Sequence, residues 1–274
     1  MPFELEDVVA NSERLLELSV PPFTAGQLAE IDHVVGVSTL YLRRGIAQML
    51  IQGITDPFFV GQIQSVSAYL FGLARVDPQA MVTSKAGAFW DAICAQCWDA
   101  AKQIATQSRM THNPKREHED DFLYVAYLMQ RYFLAPEPEA APEEQEAHAQ
   151  AQAERLDRWE EVLDGGLDSR LNLCLALANS DAEAFEEAIC AISDERDADL
   201  VERNANDAVR DEDMVWKQPI WPEGLALLRL AQRDGLVDPG LVVPRVPSLI
   251  VADNPFLYDP NAWRTQDYRA TRRL

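Results

Sequence analysis

Leu171–Ala178 and Phe185–Ile192 are two helical patterns separated by one short turn, and this pairing limits the fold more than any other stretch of the chain. Leu171–Ala178 is apolar on nearly every side, which suits a helix at the centre of a core, and Asp168 stands where it can cap the free N–H groups. Ser180-Asp181-Ala182-Glu183 has the form of a capping box. Beyond it, Phe185, Ala188, Ile189 and Ile192 form one stripe, with Glu183, Glu186 and Glu187 outside it. Helices joined by about two residues must pack antiparallel, so the segment is an αα-hairpin.

Helical periodicity recurs along the rest of the chain. Thr24-Ala25-Gly26-Gln27 reads as a capping box opening a helix through Leu28, Ile31, Val34 and Val35. Ile46–Ile54 stays apolar until Asp56-Pro57, and Val66, Tyr69, Leu70 and Leu73 follow the amphipathic template. Asp77-Pro78 supplies a cap and a first-turn proline. A long helix is expected from about Lys85 to Ser108, with Trp90, Ile93, Cys94, Cys97, Ala101 and Ile104 on one stripe; Thr111-His112-Asn113-Pro114 breaks it. Phe122–Leu134 has no turn residues over thirteen positions, which favours a buried helix over a strand. Pro222 opens a last helix that Gly235 closes. The pattern L-A-x-x-D recurs at Leu73–Asp77, Leu177–Asp181 and Leu230–Asp234, each time ending an apolar helix at an Asp turn. The unequal spacing excludes a regular solenoid.

Three regions follow. Residues 1–134 form an N-terminal helical half. Residues 135–154 contain Pro136, Pro138 and Pro142 and six Glu without Lys or Arg, reading as an exposed loop passing into a solvated helix, either a linker or an insertion. Residues 155–274 form a C-terminal helical half. Its tail, punctuated by Pro239, Pro244, Pro247, Pro255 and Pro260, carries Leu249, Ile250, Val251, Phe256, Leu257, Tyr258 and Trp263, too apolar to be left in water. The expected fold is all-α: an irregular array of antiparallel helical hairpins, TPR-like or a bundle, with the Pro-rich extended tail packed over it.

Charge narrows the function. The chain carries 45 Asp and Glu against 24 Lys and Arg, a formal net charge of −21. A surface this negative is repelled by phosphate backbones, so nucleic acid is excluded as the expected partner. No apolar run reaches the ~18 residues of a spanning helix. The N-terminus, Met1-Pro2-Phe3-Glu4-Leu5-Glu6-Asp7, lacks a basic region and an apolar core, so no secretory signal is expected. Cys94, Cys97, Cys174 and Cys190 lie within apolar helical patterns, as buried free thiols in a reducing compartment would. A cytoplasmic location without membrane contact is expected.

No catalytic set assembles. Cys94-x-x-Cys97 lies in a helical stripe without a βαβ unit or a second pair, which favours packing over redox or zinc chemistry. His112 and His118, near Glu117, Glu119, Asp120 and Asp121, could bind a divalent ion, but His-x5-His matches no zinc spacing and an exposed polar loop is favoured. Phosphate-loop, dinucleotide-turn, nucleophile-elbow and H-E-x-x-H motifs do not occur. The expectation is a protein without enzymatic activity, metal or cofactor.

The most unusual feature is Asp181–Asp213, with thirteen acids against three arginines. It is either a solvated helix surface or an electrostatic landing face that speeds encounter with a cationic protein. On the second reading the partner-binding residues are Asp194, Glu195, Asp197, Asp199, Glu202, Asp207, Asp211, Glu212, Asp213 and Trp216. Trp216 and Trp221, directly after the acids, are then interface anchors or, equally, core anchors.

The segment Leu171–Ile192, followed by Trp221-Pro222-Glu223-Gly224-Leu225-Ala226-Leu227-Leu228-Arg229-Leu230-Ala231 and by Val243-Pro244-Arg245-Val246-Pro247-Ser248-Leu249, resembles the second half of an all-helical bacterial immunity-protein family, catalogued as Immunity protein 49. The matching elements are an apolar helix, an N-S-D turn, an acidic-outside helix and a late G-L-A-L-L-R-L-A helix. The resemblance covers the C-terminal third, and the first half by helix order. It implies an antitoxin that binds a cognate toxin protein of a polymorphic or type VI secretion system and neutralises it stoichiometrically. The acidity suits a basic, nuclease-like target. A helical scaffold or adaptor binding another protein is the alternative.

Overall fold

A computed structural model describes residues 3–273. Among these residues the fold is all-α: α1 (Leu5–Thr24), α2 (Ile31–Gln52), α3 (Asp56–Leu73), α4 (Gly87–Cys94), α5 (Trp98–Gln107), α6 (Glu119–Phe133), α7 (Pro142–Leu163), α8 (Ser169–Asn179), α9 (Ala182–Ala205), α10 (Asp211–Lys217), α11 (Pro222–Arg233) and the single turn α12 (Ser248–Val251). Extended pairing among the described residues is confined to one antiparallel bridge, Phe256 to Arg272.

Consecutive helices pack as hairpins, α1–α2, α2–α3, α6–α7 and α8–α9. The α2–α3 pair is unusually close because glycine meets glycine. A Cβ on Gly61 would lie 2.8 Å from Cα of Gly45, and one on Gly45 would lie 2.9 Å from Cα of Gly61. The α8–α9 hairpin turns through Ser180 in the left-handed region (φ 54°), and the Asp181 carboxylate accepts from Ala184 N at 3.1 Å. Asp181 is therefore the cap, one residue after the expected Ser180. Asp168 caps α8 by accepting from Arg170 N at 2.9 Å.

Two expectations about helix bounds are corrected. Thr24 ends a helix instead of opening one: its hydroxyl donates to Val20 O at 2.8 Å, and α2 begins at Ile31 after Glu30. The preceding α1 was not read from the sequence because Pro21 and Pro22 lie within it, whereas Val8, Ser12 and Leu16 recur every four residues on its buried side. The long helix at 85–108 is broken into α4 and α5 at Gln96 (φ 52°). The tail fills that break: Asn254 Nδ2 donates to Ala95 O at 2.7 Å and Asn254 N to Gln96 Oε1 at 3.0 Å. Residues 135–141 form a loop that passes into the largely exposed start of α7, which packs on α6.

The two halves share one hydrophobic core, in which α4 lies against α2, α3 and α11. The tail closes over it unevenly. Ile250, Phe256 and Trp263 are buried, while Leu249 and Leu257 are about half exposed. Trp263 packs edge-on against Phe23 at 5.4 Å and over Phe71 at 4.4 Å, and its carbonyl accepts from the Tyr41 hydroxyl. Gln64 Nε2 donates to Ala262 O and Thr265 O, both at 2.9 Å, and Arg229 Nη2 to Ala252 O at 2.9 Å. These side chains satisfy carbonyls that an extended segment would otherwise leave unpaired.

Candidate partner surface and cleft

The acidic stretch divides into an inner and an outer part. α9 buries Phe185, Ala188, Ile189, Ile192 and Leu200. Its opposite stripe exposes Glu183, Glu186, Glu187, Cys190, Asp194 and Val201, residues that a 3.6-residue period brings into line. None of those four acids has a cation within ion-pair distance among the described residues. Cys190 is thus exposed, a correction to the buried thiol expected there, whereas Cys94, Cys97 and Cys174 are buried.

The ten residues singled out from sequence do not form one surface. Asp194, Glu202 and Asp207 are exposed, and their side chains have no hydrogen-bond partner among the described residues. Glu195 accepts from Ser169 Oγ at 2.6 Å, Asp211 from Asn204 Nδ2 at 2.9 Å, and Asp199 pairs with Arg203 of its own helix at 3.4 Å. Asp197 is held between Arg196 at 3.0 Å and Arg245 at 2.7 Å.

Glu212 and Trp216 are corrections, because both belong to the interior. Glu212 is buried in an ion pair with Arg43 of α2 and accepts from Asn11 Nδ2 at 2.7 Å. Trp216 is 4% exposed and donates from Nε1 to Asp213 at 3.3 Å. Burial opposes ionisation of Asp213, but hydrogen bonds from Arg210 and Trp216 outweigh it and hold the carboxyl below its usual range. The sequence pattern D-E-D-x-x-W therefore anchors α10 on α2, a role visible only once Arg43 is placed opposite.

A cleft that sequence reading missed lies between α9–α10 and α4. Its inner part, about 250 Å³, is lined by Val35, Leu42, Leu200, Trp90, Trp216 and Trp221 together with Asp91 and Glu223. Its outer part, about 720 Å³, shares Trp90, Arg196, Trp221 and Glu223 with the inner one and is bordered by Asp120, Asp121, Asp168, Asp199 and Arg170. Gly224 makes room for the wall: a Cβ there would collide with the Trp221 ring. Leu167, 98% exposed, stands at the outer lip. The sequence signal for the cleft is weak: Trp90 reads as one position on a helical stripe, and no motif marks Asp91 or Glu223.

Asp91 is 3% exposed and accepts from Ser65 Oγ at 2.5 Å; Ser65 in turn meets Ser38 Oγ at 2.7 Å. Burial pushes the Asp91 carboxyl up to about 7, partly offset by the Ser65 hydrogen bond. Burial also raises Glu223, against the Tyr124 hydrogen bond (2.7 Å) and the nearby Arg170 and Arg196.

Neither cysteine nor histidine pairs converge. Burial raises the Cys94 thiol well above its ordinary value and Cys97 to about 12, the opposite of a reactive pair. His112 interacts with Glu117 O at 3.0 Å and lies 4.0 Å from Glu119, while His118 is exposed before α6. Among the described residues no three potential ligands gather to hold a metal, and no helix is long and apolar enough to cross a membrane. Comparison with protein-family models, curated proteins and solved structures finds no match to this chain.

Proposed function

We propose that this protein is an antitoxin that binds a cognate bacterial toxin in stoichiometric contact, with the outer stripe of α9 as the electrostatic part of the interface. The observation that carries this reading is the alignment of Glu183, Glu186, Glu187 and Asp194 on one exposed helix face, without internal counter-ions among the described residues. Acids neutralised within the fold, such as Asp197 and Glu212, add little field outside it. Unpaired ones attract a basic partner and raise its encounter rate. The exposed Val201 at the end of the stripe adds apolar contact. That the partner is a toxin rests on the resemblance of Leu171–Ile192 and Trp221–Ala231 to an immunity-protein family.

The test is co-expression with the toxin encoded by the adjacent reading frame, followed by size-exclusion chromatography. Protection of the cells and a 1:1 co-eluting complex are expected. Loss of either overturns the reading, and co-purification with a non-toxic protein instead favours a scaffold.

A further inference from the structure

The inner cleft holds an imbalance that the fold itself does not resolve. Asp91 and Glu223 line it, and neither has a cation within ion-pair distance among the described residues. The donors they do have, the hydroxyls of Ser65 and Tyr124, are neutral. Asp91 is nearly fully buried and Glu223 partly so, and a carboxylate drawn out of water without a counter-ion is costly; such groups in cavities are ordinarily paired. Two of the three cations along the same walls, Arg196 and Lys85, are engaged elsewhere, and the third, Lys217, stays on the wall. Arg196 donates to Lys217 O, to Ile220 O at 3.1 Å and to Asp197, and Lys85 pairs with Asp32 at 2.6 Å. The Lys217 ammonium lies 5.4 Å from the Trp216 ring centroid.

The remaining walls are aromatic and aliphatic. A volume of about 250 Å³ is many times the ~30 Å³ share of one water and just under the ~300 Å³ of a small-molecule pocket. It suits one slender group with an apolar stem. Aromatic faces attract cations, and carboxylates accept the N–H donors of a planar fork. In the adjoining cleft the acids are neutralised, Asp120 and Asp121 by Arg170 and Asp199 by Arg203, so the approach adds little field of its own.

We propose that the inner cleft is a binding site for an alkyl-guanidinium or alkylammonium group, its stem packed among Trp90, Trp216 and Trp221 and its N–H donors received by Asp91 and Glu223. The site is independent of what α9 binds. The group can be a free amine or a side chain of a partner polypeptide, and the two sources are separable by experiment. The titratable groups facing Asp91 across the cavity are Tyr69 from α3, Lys85 before α4, Arg196 from α9, Lys217 from α10 and Glu223 from α11.

The test is calorimetric titration of the full chain with agmatine, with the peptide acetyl-Gly-Gly-Arg-Gly-Gly-amide, and with its Glu-centred counterpart. Saturable 1:1 binding of a cationic probe is expected, with a dissociation constant below about 1 mM. Stronger binding of agmatine identifies a free amine, and stronger binding of the peptide a partner's side chain. Glu223→Gln and Asp91→Asn, each checked for an unchanged circular dichroism spectrum, should each weaken binding about tenfold. The proposal is overturned if neither cationic probe saturates, if the Glu peptide binds equally well, or if both folded variants bind like the parent. Failure of toxin protection leaves these results untouched.

Discussion

Asp91 on α4 and Ser65 on α3 meet through a 2.5 Å hydrogen bond at the floor of the cleft, where the hydroxyl is the carboxyl group's donor and burial is nearly complete. With its native pKa at about 7 and an unfolded value near 3.9, this group retains its proton in the native state after the unfolded chain has lost it. Its contribution therefore favours the fold below about pH 4, falls as pH rises, and levels off as an unfavourable term above about pH 7. Asp91→Asn should flatten the stability profile between those limits and raise stability at pH 8. Urea denaturation from pH 4 to 8 measures this, and an unchanged slope would contradict it.

Arg43 and Glu212 tie α2 to α10 within the interior. Glu212→Ala leaves the guanidinium buried with the more distant Asp213 at 3.5 Å, and should cost about 3–5 kcal/mol. The paired change Arg43→Met with Glu212→Leu should recover most of that loss. Thermal melts of the three variants provide the measurement.

Gly45 and Gly61 permit the close crossing of α2 and α3. Gly45→Ala would gain about 1 kcal/mol of helix propensity on an exposed helix. Here the new methyl meets Pro57 O and the Gly61 backbone, so a net loss of about 1–3 kcal/mol is expected in chemical denaturation.

Trp263 is fully buried between Phe23 and Phe71. Trp263→Ala should cost about 3–5 kcal/mol and release the tail. Limited proteolysis should then cut within residues 240–273 under conditions in which the parent chain stays intact.

The outer acids of α9 should behave oppositely to the inner ones. Glu183→Lys, Glu187→Lys and Asp194→Lys together should change stability within about 0.5 kcal/mol, as exposed positions do. Association with a basic partner should slow, and the difference should shrink as salt is raised. Asp197→Ala, by contrast, removes the shared partner of Arg196 and Arg245 and should lower the melting temperature.

Much of the fold was legible in the chain because helical period and caps are local. α6, α8, α9 and α11 lie where stripes and cap residues put them, and Asp168 and Asp181 cap by hydrogen bonds within three residues. The split of α4 from α5 was not legible, since the break at Gln96 is held by Asn254, more than 150 residues away. The candidate surface was legible only in part. Net charge marked the stretch after Asp181, yet nothing local distinguishes Asp194, facing water, from Glu212, facing Arg43.

The sequence by itself determined the helical class, the α8–α9 hairpin and the acidity, because each depends on residues within a turn or two of one another or on composition alone. Tertiary structure decided which acids stay unpaired, how the tail closes over α2–α4, and that Trp90, Asp91, Trp216, Trp221 and Glu223 border one cleft. Those outcomes depend on which distant side chains share a low-dielectric space. Pairing and burial are properties of that neighbourhood, and periodicity along a single helix carries no information about it.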